Sequence, residues 1–109
     1  MLDNTSHPPW FNPGLPRRED CVLSALLDNR AAQEPDEPLI RFEDGTIWTA
    51  AEALDTTRRA AAALRSLGIT AGDRVLAWLP NGASLIRAWF ATNYLGATLV
   101  PINTGYRGR

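Results

Sequence analysis

Apolar positions recur at two spacings along this chain, and the alternation between those spacings divides it into elements. Val22, Leu23, Leu26 and Leu27 keep the i, i+4 spacing of one helix face, with Arg30 on the next turn. A helix is therefore expected from about Cys21 to Gln33, with Asp20 as its N-cap. Pro35-Asp36-Glu37-Pro38 ends it. Leu39 to Phe42 and Thr46 to Thr49 then read as short strands around Glu43-Asp44-Gly45, a β-hairpin with a tight turn. Thr49 and Glu52 fit a capping box, so a second helix should run to about Leu67 and stop at Gly68. Leu54, Ala61 and Leu64 share one of its faces. Asp55, Arg58, Arg59 and Arg65 lie elsewhere as a solvated face, with Asp55 and Arg59 as an i, i+4 ion pair.

The second half has a different rhythm. Arg74 to Leu79 and Thr98 to Ile102 are near-continuous apolar runs, the pattern of strands covered on both faces. Between them, Ala83 to Leu95 is apolar on most sides, which predicts a helix buried on several faces and capped by Gly96. Strand, helix and strand with short connections make a right-handed βαβ unit with parallel strands. The expected class is α/β: a partial domain with an N-terminal arm, a helix, a hairpin, a helix and a βαβ unit. Residues 1–19 form the arm, because Pro8, Pro9, Pro13 and Pro16 exclude a helix there. Trp10 and Phe11 are expected to pin that arm to the domain surface.

Composition narrows the chemistry. The chain has 109 residues and a net charge of −1, which gives no basic field for nucleic acid or an anionic membrane. All 11 cationic side chains are arginine. Without lysine, this chain cannot build a Walker-type phosphate loop or a Schiff base. One cysteine excludes an internal disulfide, and one cysteine with one histidine, His7, argues against a zinc site. Cys21 reads as a small apolar core residue. Met1 to Pro9 lacks an apolar signal core, and the stretch from Leu85 to Val100 is too short and too polar to span a bilayer, so a cytoplasmic protein is expected.

Candidate sites are few. Pro80-Asn81-Gly82-Ala83-Ser84 occupies a strand-to-helix junction, where backbone N–H groups can bind phosphate. It lacks the GxGxxG glycines of a dinucleotide site, so Asn81 or Ser84 is read as a helix cap. Glu43 and Asp44 are read as solvated turn carboxylates, and Asp73 as a turn-fixing side chain. No catalytic, cofactor-binding or metal-binding residue is assigned in this segment.

The junction residues nonetheless form a series. Thr49 and Glu52 open a helix, and Ala60 to Leu64 with Gly68-Ile69 close it. Gly72-Asp73-Arg74-Val75 begins a strand and Leu79-Pro80-Asn81 ends it. Gly96-Ala97, Val100-Pro101-Ile102-Asn103 and Tyr106-Arg107 form the last strand and loop. In this order they resemble the N-terminal segment of the adenylate-forming (AMP-binding) ligase superfamily, from about residue 20 to the end. Ala50 stands where that superfamily usually has an aromatic, and Trp78 is large for its strand. Pro101-Ile102-Asn103-Thr104 looks more like the acyl-CoA ligases than the peptide-synthetase adenylation domains, which usually read Pro-Leu-Asp-Pro.

The resemblance implies a parent that joins a small carboxylic acid to coenzyme A through an acyl-adenylate, with ATP and Mg²⁺. The phosphate loop, the nucleotide-contacting motifs and the catalytic lysine would lie beyond Arg109. The expectation is an N-terminal fragment that binds no cofactor, is inactive alone, and has the remainder of the ligase large domain as its partner. The alternative is a free-standing α/β interaction or regulatory module. A small dinucleotide-binding domain ranks last.

Overall fold

The computed structural model describes residues 8–10, 12–15, 17, 19, 21–105 and 108. The expectations placed on Met1 to His7, Phe11, Pro16, Asp20, Tyr106 and Arg107 lie outside these residues. The elements follow the expected order: α1 (Leu23–Gln33), β1 (Pro38–Arg41), β2 (Ile47–Thr49), α2 (Ala50–Ser66), β3 (Arg74–Ala77), α3 (Ala83–Tyr94) and β4 (Thr98–Pro101). The chain is α/β. Its strands form two separate sheets, the antiparallel pair β1–β2 and the parallel pair β3–β4.

Helix α1 starts later than expected. Its N-cap is Val22, which makes no side-chain cap bond, and the backbone N–H of Leu26 donates to the Val22 carbonyl at 3.0 Å. Cys21 therefore precedes the helix and is exposed, which corrects its reading as a core residue. The apolar face is narrow: Leu27 is buried and Leu23 half-buried, whereas Val22 and Leu26 are exposed. Trp10 is 82% exposed, so it does not pin the arm to the surface.

The hairpin turns as its residues dictate. Asp44 Oδ1 accepts from the Thr46 backbone N–H at 2.9 Å, and the Gly45 N–H donates to the Phe42 carbonyl at 3.0 Å. With the Phe42 N–H donating to the Thr46 carbonyl at 2.8 Å, these bonds close the turn from within the hairpin.

The start of α2 accounts for its free backbone donors one by one. The Ala50 N–H donates to the Glu37 carbonyl at 2.9 Å and the Ala51 N–H to the Pro35 carbonyl at 3.0 Å. The Glu52 N–H donates to Thr49 Oγ1 at 3.2 Å, and that hydroxyl donates to Glu52 Oε1 at 3.2 Å. One half of the capping box is thus present, and Glu52 reaches back to the cap hydroxyl instead of to the Thr49 backbone N–H. At the other end Gly68 takes φ +95°, a left-handed conformation that strains any residue with a Cβ. The Ile69 N–H then closes back on the Leu64 carbonyl at 3.2 Å.

The core joins the hairpin to all three helices through Leu27, Trp48, Ala53 and Phe90. Phe42 meets Trp48 edge to face at 4.8 Å, and the Arg87 guanidinium lies 5.5 Å from the Trp48 ring centre. The buried stripe of α2 is Ala50, Ala53, Thr57 and Ala61, so small residues let this helix approach its neighbours closely.

The parallel pair is shorter than its apolar runs suggest. β3 ends at Ala77 instead of Leu79, and β4 at Pro101 instead of Ile102. The last bond between them runs from the Ile102 N–H to the Ala77 carbonyl at 2.8 Å. Asn103 Oδ1 then accepts from the Gly105 N–H at 2.8 Å, and this local turn ends the extended run. Gly96 takes φ +78° at the α3–β4 junction, a left-handed conformation that strains any residue with a Cβ, and a Cβ there would also crowd Ala71 Cβ at 3.2 Å.

Coverage of the pair is one-sided. Val75, Ala77 and Leu99 are buried or half-buried on the side where α3 packs. Leu76 and Val100, paired in register, are exposed on the other side, Leu76 by 67%. Trp78, with the same parity as Leu76, is 62% exposed. The second cover that this apolar pattern calls for is not supplied by the described residues. The same holds for α3, which buries Phe90, Ala91 and Thr92 but leaves Trp89 44% exposed. No helix among the described residues is long and apolar enough to cross a membrane.

Candidate functional site

In parallel α/β sheets, ligands settle outside the carboxyl ends of the strands. Here that edge is formed by Leu79, Pro80 and Asn81 after β3 and by Ile102, Asn103 and Thr104 after β4. The chain encloses a cleft of about 370 Å³ there. A more apolar groove of about 590 Å³ adjoins it along α3, lined by Leu85, Ile86, Trp89, Leu99 and Pro101. A third cleft, about 620 Å³, separates the hairpin from the start of α3 and includes Arg41, Glu43, Asp44 and Gly82. Asn81 lines all three.

The β3–α3 junction does not use the expected caps. The N-cap of α3 is Gly82, with no side-chain cap bond, so neither Asn81 nor Ser84 serves that role. Gly82 displaces the cap by one residue from Asn81, and Asn81 instead faces the clefts.

The two clefts along α3 and the strand ends present amide and hydroxyl side chains as their polar groups: Asn81, Asn93, Asn103, Thr98 and Thr104. Such groups can donate and accept hydrogen bonds, but they do not exchange protons near neutral pH. The carboxylates of the third cleft belong to the hairpin turn. Asp44 is held below the usual carboxylate range, first by the Thr46 backbone N–H and then by the Thr46 side chain. Asp73 Oδ2 accepts from the Thr70 N–H at 2.8 Å and from its hydroxyl at 3.3 Å, which fixes the turn into β3 as expected.

One polar cluster was not visible in the sequence. Tyr94 OH donates to Asp28 Oδ1 at 3.2 Å, Arg58 Nη2 reaches the same oxygen at 3.4 Å, and Arg58 Nε donates to Tyr94 OH at 3.2 Å. It ties α1, α2 and α3 together, so Arg58 is more than part of a solvated face. The Arg58 guanidinium is raised further, mainly by the Tyr94 contact and then by Asp28. Asp28, Arg58 and Tyr94 lie far apart in sequence, and no local spacing links them.

Beside this geometry stand the likenesses to known proteins. The sequence profile described as AMP-binding enzyme matches residues 27–109. The chain belongs to the AMP-binding enzyme family. It is 42% identical over 90 residues to 4-coumarate–CoA ligase 2 of Oryza sativa subsp. japonica, covering 82% of this chain and 15% of that protein. It is 37% identical over 78 residues to 2-succinylbenzoate–CoA ligase of Oceanobacillus iheyensis, covering 72% and 16%. Among solved structures it resembles the inhibitor-bound N-terminal domain of FACL13 from Mycobacterium tuberculosis, with a TM-score of 0.68 and 31% identity, covering 75% of this chain and 21% of that one. The chain thus spans about a sixth of the curated relatives it matches.

The AMP-binding match takes in the second half of α1, the hairpin, α2 and the whole β3–α3–β4 unit. The residues of this segment do not fit a nucleoside triphosphate. There is no lysine in the chain, the β3–α3 junction carries a single glycine, and no group of three metal-ligating side chains occurs among the described residues.

Proposed function

We propose that this chain is the N-terminal part of the large domain of an ATP-dependent acyl-CoA ligase. The parent would convert a carboxylic acid, ATP and coenzyme A to acyl-CoA, AMP and pyrophosphate through an acyl-adenylate. The observation that carries this reading is the βαβ unit. It lies within the residues that the AMP-binding enzyme profile matches, and among the described residues its sheet face at Leu76, Trp78 and Val100 lacks the second layer that a parallel sheet requires. The rest of the ligase large domain is the proposed cover for that face. Residues 20–109 would supply outer helices and first strands, with residues 1–19 as a leading arm.

The segment alone is proposed to be inactive. Transfer of an adenylyl group needs cationic or metal groups fixed on the phosphates; the clefts along α3 and the strand ends offer amides and hydroxyls, and the third sets its one guanidinium, Arg41, among the Glu43 and Asp44 carboxylates. Purified 1–109 is expected to give no ATP–pyrophosphate exchange with aryl, medium-chain or long-chain acids. Exchange by a clean preparation overturns the proposal. Reading the coding sequence past Arg109 tests the parent: a Ser/Thr/Gly-rich loop ending in Lys-Gly supports the ligase.

A second reading, a free-standing interaction module, has one observation in its favour. Leu27, Trp48, Ala53 and Phe90 already link the hairpin to all three helices in a shared core. Its mark is an isolated chain that unfolds cooperatively as a monomer.

A further inference from the structure

We draw no further inference here: the strongest candidate, the exposed apolar face of the β3–β4 pair at Leu76, Trp78 and Val100, is the surface already assigned to the rest of a ligase domain, and nothing in the structure shows what else covers it.

Discussion

Two buried threonines sit in similar places and meet different fates. Thr57 and Thr92 are both fully buried within helices. Thr92 Oγ1 donates to the Ala88 carbonyl at 2.6 Å, one turn back, whereas Thr57 Oγ1 has no hydrogen-bond partner. An unsatisfied buried hydroxyl costs about 1–3 kcal/mol, and valine has nearly the same shape. Thr57→Val is therefore expected to raise the unfolding free energy in urea by about 1 kcal/mol, whereas Thr92→Val gains nothing. Destabilisation by Thr57→Val would show that the hydroxyl has a partner. Asp44 offers a second test. Its folded pKa is depressed, so its contribution is fully present above the ordinary carboxylate pKa and is lost as pH falls through the lower folded value. NMR titration should place the Asp44 carboxyl below the ordinary aspartate value. In Asp44→Asn, the part of acid destabilisation that falls in and below the carboxylate range should shrink.

At the level of elements, local chemistry and long-range contact divide the work. The hairpin turn, the α2 capping box and the Gly68 stop are decided within a few residues, and each was legible in the sequence. The Asp28–Arg58–Tyr94 cluster is not local: it exists because α1, α2 and α3 pack together. Tyr94→Phe and Arg58→Ala are expected to be non-additive in a double-mutant cycle on stability, because both remove bonds to the same carboxylate. The coupling should weaken as salt is added, since the Arg58–Asp28 ion pair is largely open to solvent. Full additivity would mean that the cluster joins nothing. The two strand ends that the sequence misjudged in the parallel pair share one cause. The apolar runs at Trp78-Leu79 and Ile102 extend past the point where the chain turns, because an apolar pattern reports a tendency to be buried and not the presence of a pairing strand.

For the whole molecule, the radius of gyration is 17.4 Å, against about 13 Å for a compact domain of about this length. Leu76, Trp78 and Val100 are expected to bind a hydrophobic dye such as ANS in the native state of 1–109. The triple substitution Leu76→Thr, Trp78→Ser, Val100→Thr should remove most of that binding with little loss of helix by circular dichroism. Dye binding that persists in the variant would place the exposed apolar surface elsewhere, for example at Trp89. Calorimetry of the same preparations separates the two functional readings. A single cooperative transition from a monomer favours the module, and a broad, weak transition favours a segment that depends on the rest of a ligase.

The sequence by itself determined the order of elements, the hairpin, the α2 cap and stop, and the parallel βαβ connection. Each of these rests on spacing, turn chemistry or chain handedness within a short span. It also determined the ligase resemblance, through junction residues whose identity is set by local geometry. Only the tertiary structure decided which apolar residues are covered. Leu76 and Val75 are equally apolar neighbours, and burial separates them because α3 lies on one side of the β3–β4 pair and none of the described elements lies on the other.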